Sequence, residues 1–70
     1  MEYTFYIRLE EGQKLPDSVP DAEIIDKGQV LGSWWKLTLA FPDEKFNSIV
    51  KWLMRQGYRL ARSANYSASL

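Results

Sequence analysis

Two segments in which apolar residues alternate with other residues constrain the fold of this chain more than any other feature. In residues 2–9 and 33–41, large apolar side chains recur at every second position. This period of two is typical of strands that bury one face. The expected buried face carries Tyr3, Phe5, Ile7, Leu9, Trp35, Leu37, Leu39 and Phe41, and the other face carries Thr4, Tyr6, Arg8, Trp34, Lys36, Thr38 and Ala40. Both segments are therefore predicted to be half-buried strands.

Between these strands, the sequence predicts a loop and a shorter strand. Residues 10–21 contain one glycine and two prolines among scattered charges, which is typical of a loop. Residues 22–27 include Ile24 and Ile25 and are expected to form a short strand. A turn should follow between Gly28 and Gly32, although the pattern does not decide which glycine marks it.

One helix is expected after the second alternating segment. Pro42, Asp43 and Glu44 suit its first turn, because proline needs no amide donor there and carboxylates favour the positive end of the helix dipole. Its apolar stripe consists of Phe46, Ile49, Val50 and Leu53. Gly57 can cap a helix of about 14 residues, since glycine readily adopts the left-handed conformation. Residues 58–66 then alternate again, which predicts a final strand, and residues 67–70 are expected to be a frayed tail.

The order β-β-β-α-β predicts a single α+β domain over residues 1–70. We expect a four-stranded, mostly antiparallel sheet with the helix packed on one face and a right-handed crossover through that helix. The arrangement resembles a ferredoxin-like fold in reduced form, with the first helix replaced by the loop 10–21. The strand–helix–glycine–strand order of residues 35–63 is similar to the ferredoxin-like caps of phycobilisome linkers, but it contains no residue diagnostic of a family.

Composition argues against an enzyme. The chain has no histidine and no cysteine, so a serine triad, a thiolate nucleophile and a thiolate metal site are all excluded. The acidic pairs Glu10-Glu11 and Asp43-Glu44 show no catalytic arrangement, and the glycine spacing matches no phosphate-binding loop. We therefore predict no catalytic residue, no metal ligand and no cofactor. Without a signal peptide or an apolar run of about 20 residues, the chain is expected to be cytoplasmic and not to bind membranes.

Nine basic and nine acidic residues cancel overall but are unevenly distributed. Residues 1–35 contain three basic and seven acidic side chains, and residues 36–70 contain six basic and two acidic ones. If the fold keeps the halves apart, the surface has an acidic and a basic side. If strand pairing interleaves the halves, this separation is lost.

The sheet face not covered by the helix is the first candidate binding surface. Aromatic and basic side chains alternate there in a way that resembles RNA-recognition domains, in which aromatic residues on the sheet stack on bases. Residues 5–9 are similar to the first-strand motif of that family, with Tyr6 at the stacking position, whereas the third strand offers one outward aromatic residue instead of two. The candidate residues are Tyr6, Arg8, Trp34, Lys36 and Arg59. Tyr6 and Trp34 could alternatively form a cross-strand pair on a solvated face.

Trp52 marks the second candidate surface, because the helical period places it on the polar side of the helix. Tryptophan is enriched at the centres of protein interfaces, and Lys51 and Arg55 lie nearby as charges for an acidic partner. Alternatively, the loop 10–21 covers Trp52, or Trp52 and Met54 widen the buried stripe.

These observations predict a small non-enzymatic protein-binding module of adaptor, regulatory or inhibitory type. Its partner would be another protein or a second copy of the chain, giving a homodimer. The alternative is a module that binds single-stranded nucleic acid on the uncovered sheet face.

Overall fold

A computed structural model describes residues 1–61 as one four-stranded sheet with a helix against one face. The strands are β1 (Glu2–Arg8), β2 (Glu23–Leu31), β3 (Trp34–Ala40) and β4 (Arg59–Leu60). A 3-10 helix (Asp43–Lys45) and the α-helix α1 (Phe46–Arg55) connect β3 to β4. The predicted α+β class, with four strands and one helix, is confirmed. Residues 62–66 of the predicted final strand and the predicted tail 67–70 lie outside the described residues.

The sheet has the order β2-β3-β1-β4, and every neighbouring pair of strands is antiparallel. Because β3 and β4 are both antiparallel to β1, they run parallel to each other on its two sides. The segment containing α1 therefore makes a crossover connection past β1. As a result, strands from the N-terminal half of the chain alternate across the sheet with strands from the C-terminal half.

The core lies between the sheet and α1, on the face predicted from the alternation. Its aromatic part is closely packed: the rings of Tyr3 and Phe41 stack with centroids 4.7 Å apart, and the Phe5 and Phe46 centroids are 5.9 Å apart. Such pairs add to the gain from burial alone. The buried core residues are Tyr3, Phe5, Ile7, Val19, Leu37, Leu39, Phe41, Ile49 and Leu53. The predicted helix stripe is also confirmed, since Phe46 and Val50 pack against this cluster.

The second strand is longer than the sequence pattern suggested. The prediction ended it at Lys27, whereas β2 continues to Leu31 and pairs with β3 along its length. Two irregularities in register, between Ile24 and Asp26 and between Gln29 and Leu31, obscure the period of two. The turn is marked by Gly32, which has a φ of 58°, while Gly28 stays within the strand.

The helix begins later than predicted and ends where predicted. Asp43–Lys45 form a 3-10 turn before α1, with the Lys45 amide donating to the Pro42 carbonyl at 2.8 Å. At the other end, Gly57 has a φ of 90°, and the Tyr58 amide donates to the Leu53 carbonyl at 3.2 Å. The Gly57 amide donates to the Met54 carbonyl at 3.0 Å. Together these two bonds form a Schellman cap.

We expect Gly57→Ala to lower the free energy of unfolding by about 1 kcal/mol or more, because an L-residue is strained at this positive φ. A Cβ at Gly57 would meet only the Gln13 side-chain amide, at 3.9 Å, so the cost would come from the backbone and not from a clash. Chemical denaturation would measure it. Gly28→Ala is the matched control, since Gly28 does not have a positive φ. An equal loss in both variants would contradict the cap assignment.

The loop 10–21 is confirmed as irregular and is attached to the end of α1. The Tyr58 hydroxyl donates to the Lys14 carbonyl at 2.5 Å, and the side-chain amide Nε2 of Gln13 donates to the Gly57 carbonyl at 3.3 Å. Val19 inserts into the core, and Leu15 packs against it. The loop thus extends the cover over the helix side of the sheet, beyond the area that α1 reaches.

Candidate protein-binding face

The face of the sheet opposite α1 is not covered by any element formed by residues 1–61. We call it the open face. Its side chains alternate along the strands with those of the core, and none of them is buried. By register, the open face consists of Glu2, Thr4, Tyr6, Arg8, Glu23, Asp26, Gly28, Leu31, Trp34, Lys36, Thr38, Ala40 and Arg59.

One end of the open face combines apolar and basic side chains. The residues Leu31, Trp34, Arg8 and Arg59 are paired in register across β2, β3, β1 and β4. We call this set the hairpin row, because it lies beside the β2–β3 turn. Leu31 is 77% exposed and Trp34 is 36% exposed. Aromatic and arginine side chains are the types most enriched among residues that dominate interface energetics.

The other end of the open face carries acidic side chains beside small ones. Glu23 and Glu2 flank Ala40 in register, and we call these three residues the acidic row. Next to it, Thr4 and Thr38 are directly opposite, and their hydroxyl groups are 3.0 Å apart in a hydrogen bond. Thr4, Thr38 and Ala40 at this end are therefore much smaller than the side chains of the hairpin row.

The positive charges of the open face are only partly compensated. Lys36 pairs with Asp26 at 3.1 Å, and Arg59 pairs with Glu10 at 3.4 Å. Arg8 lies directly opposite Arg59 and forms no ion pair with any residue in 1–61. Like charges directly opposite each other in a sheet are unfavourable. The hairpin row is therefore suited to bind an anionic group.

Charge on the open face varies along the strands and not across them. The strand order interleaves the acidic and basic halves of the chain, as one of the two sequence-based alternatives anticipated. Nevertheless, Glu2 and Arg8 lie at opposite ends of the same strand, so the face has a negative end and a positive end. Glu2 and Glu23 form no ion pair within the described part of the chain.

The structure places five of the predicted binding residues together. Tyr6, Arg8, Trp34, Lys36 and Arg59 all belong to the open face. Lys36 is directly opposite Tyr6, and Arg8 is directly opposite Trp34, so the two aromatic residues are diagonal neighbours. The face thus has a basic residue beside each aromatic one.

The other three predicted residues lie on α1, on the opposite side of the sheet. Trp52 is half-buried and packs against the core, whereas Lys51 and Arg55 are exposed. Met54, which could have joined Trp52 in a wider stripe, is 61% exposed. Because part of the Trp52 ring already packs within its own domain, less of it is available to a partner than of Trp34.

Sequence reasoning missed three exposed apolar residues of β2. Ile25 is 44% exposed and Val30 is 52% exposed, and both lie at the register irregularities, while Leu31 belongs to the hairpin row. Val30 and Leu31 were missed because the predicted strand ended at Lys27, whereas Ile25 lay within the predicted strand but was not assigned to either face of the sheet. The available signal was the pair Gly32-Ser33 directly after the apolar residues Val30 and Leu31. A Gly-Ser pair after a strand is typical of a two-residue hairpin turn.

Two tyrosines on the helix side have raised pKa values. The pKa of Tyr3 is raised, first by its hydrogen bond to Asp43 at 2.6 Å and then by burial and the Asp43 charge. The pKa of Tyr58 is raised by burial and by the charge of Asp17. A raised pKa means that the folded state favours the neutral hydroxyl group. Both tyrosines therefore contribute stability below about pH 10, and this stability is lost as the pH rises above about 10.

A concavity lies on the helix side, between the loop 10–21 and the sheet. Its volume is about 330 Å³, with Leu9, Leu15 and Trp35 as apolar walls and Lys14 and Lys27 at the margin. Lys27 is held there by the Pro16 carbonyl, 3.3 Å away, and by the Asp17 carboxylate, 3.9 Å away. Leu9 and Trp35 were both expected in the core and are half-buried because they line this space.

Among residues 1–61, no group of three or more acidic side chains is placed so that it could hold a metal ion. The described helix is also too short to cross a membrane. No protein-family model, no curated protein and no solved structure matches the chain.

Proposed function

We propose that this protein is a small, non-enzymatic, cytoplasmic binding module that acts by docking another protein molecule on its open face. A regulatory, adaptor or inhibitory role follows from such docking, because the module would act by occupying a surface of its partner. The observation that carries the proposal is the hairpin row. It combines an exposed tryptophan, a highly exposed leucine and an arginine without an ion pair within residues 1–61.

The composition of the hairpin row favours a protein partner. A large apolar residue flanked by arginine is typical of interface centres, where the ring contributes buried area and the guanidinium binds carboxylates. Trp34 and Leu31 lie in adjacent strands at the same level of the sheet, so one apolar side chain of a partner could contact both. Scattered exposed apolar residues need no explanation, but adjacent ones in register with two arginines are a stronger indication.

Binding of single-stranded nucleic acid has weaker support. Lys36 and Arg59 are each paired with a carboxylate, so they contribute less positive potential than their number suggests. Glu2, Glu23 and Asp26 lie on the same face and would repel phosphates. The open face has one end suited to stacking but lacks a continuous basic path for a strand.

We further propose that the topology is a reduced form of the ferredoxin-like fold. The strand order β2-β3-β1-β4 and the crossover through α1 support this. In that interpretation, the loop 10–21 takes the place of the first helix. It performs part of a helix's role, because Val19 and Leu15 supply apolar cover on the same side of the sheet as α1.

Trp34→Ala is expected to weaken partner binding by about thirtyfold, the effect of removing an interface residue worth about 2 kcal/mol. The immobilised protein would be used to capture partners from host extract, and the affinity of each captured protein would then be measured by titration. Met54→Ala is the matched control, because Met54 is exposed on the helix side. Both variants should keep the wild-type circular dichroism spectrum.

Two outcomes would contradict this assignment. Loss of capture in Met54→Ala but not in Trp34→Ala would move the binding surface to α1. Binding of a single-stranded oligonucleotide that falls steeply with salt and disappears in Trp34→Ala would support the nucleic-acid alternative.

A further inference from the structure

We propose that the molecule docked on the open face is a second copy of this chain. This inference rests on the proposed function and names its partner. The two sheets would pack face to face, related by a two-fold axis that lies between them and runs across the strands. This axis sets the hairpin row of each copy against the acidic row of the other.

Charge complementarity is the first argument. Arg8 and Glu2 lie on the same face of β1, separated by six residues or about 20 Å at the rise of a strand. Neither forms an ion pair within residues 1–61. The two-fold operation places Arg8 of each copy over Glu2 of the other, so that the dimer contains two symmetry-related Arg8–Glu2 ion pairs. The alternative axis, parallel to the strands, would instead set Arg8 near Arg8 and Glu2 near Glu2.

Size complementarity is the second argument, and it is independent of charge. Under the same operation, Trp34 of one copy faces Ala40 of the other, because the two residues lie at opposite ends of β3. Tyr6 faces Thr4 in the same way on β1, and Lys36 faces Thr38 on β3. In each of these three pairs, a larger side chain therefore meets a smaller one. Sheets that pack about 10 Å apart interdigitate best in this manner.

The area of the open face limits the affinity that is expected for the dimer. The three longer strands give an area about 20 Å long and 14 Å wide, which is on the order of 300 Å² per copy. A standard stable interface buries about 800 Å² per partner. The dimer should therefore be weak and reversible, with a dissociation constant in the micromolar to millimolar range. Salt should weaken it further, since its ion pairs are at the margin of the contact.

The test is a charge swap measured by sedimentation equilibrium at low salt. Arg8→Glu sets two carboxylates against each other at both ends of the dimer, and Glu2→Lys sets two cations against each other. Each single variant should raise the dissociation constant about tenfold. The double variant Arg8→Glu/Glu2→Lys restores opposite charges at both positions and should return the constant to within about threefold of wild type.

A matched control uses the same chemistry away from the open face. Arg55→Glu reverses an exposed charge on α1 and should leave the dissociation constant unchanged. Circular dichroism would confirm that the variants are folded, which is expected because Glu2 and Arg8 are both exposed. Arg8→Glu and Arg55→Glu then differ in the position of the reversed charge and not in the kind of change.

The possible results separate this proposal from the broader one. A wild-type chain that stays monomeric up to millimolar concentration overturns the second-copy proposal, while Trp34-dependent binding of another protein would leave the proposed function intact. A dimer whose double variant is as weak as the singles overturns the two-fold arrangement. Rescue by the double variant supports it, because only this pairing brings residues 2 and 8 of different copies together.

Discussion

Replacing Phe5 with alanine is expected to lower the free energy of unfolding by about 4 kcal/mol. Phe5 is fully buried, and its ring stacks near those of Phe41 and Phe46. Its removal would leave a cavity between the sheet and α1 that neighbouring rings could fill only in part. A domain of this size has a total stability of about 4–10 kcal/mol, so the variant should be close to unfolding.

The adjacent residue provides the matched control. Tyr6 is also aromatic but belongs to the open face and is only half-buried. Tyr6→Ala should therefore cost much less, about 1 kcal/mol. Phe5→Leu keeps most of the volume and should cost less than about 1.5 kcal/mol, so that a folded variant remains measurable. Chemical denaturation would compare all three, and a larger loss for Tyr6→Ala than for Phe5→Ala would contradict the assignment of the two faces.

Trp52→Ala is expected to lower the free energy of unfolding by about 2 kcal/mol. The cause is lost packing, because Trp52 is half-buried against the core beside the buried residues of α1. The cost is smaller than that of a fully buried tryptophan, since part of the ring is exposed. Equilibrium denaturation followed by circular dichroism would measure it without relying on tryptophan fluorescence.

The neighbours of Trp52 show whether the effect is specific. Lys51→Ala and Arg55→Ala remove exposed side chains from the same helix, and each should change stability by less than about 0.5 kcal/mol. If Trp52→Ala instead left stability unchanged and abolished dimerisation or partner capture, the helix surface would be the binding site. Trp52 therefore distinguishes the two surfaces that the sequence indicates.

The sequence predicted the elements whose signal is local and regular. The alternation of residues 2–9 and 33–41 gave the correct buried face, and the spacing of Phe46, Ile49 and Leu53 gave the correct helix stripe. Gly57 also ends the helix as predicted, because a positive φ at that position requires a residue without a Cβ. The helix start was placed too early, since the favourable residues at 42–44 form a 3-10 turn first.

The candidate site was predicted in part. Five of its residues follow from the alternation, since residues between core positions must point away from the core. Leu31 was missed, because two irregularities in β2 break the period by which a strand is recognised. Such irregularities depend on how β3 pairs with β2, and the residues of β2 alone do not specify them.

The sequence alone determined which side chains share a face within each strand and that one helix covers one face, because these follow from periods of two and 3.6 residues. Only the tertiary structure decided which strands are neighbours and in which register. Register aligned Leu31, Trp34, Arg8 and Arg59 in one row and separated that row from Glu2 and Glu23. Pairing between distant segments depends on the packing of the whole core and on the ends of each hairpin, so it is not encoded in any single segment.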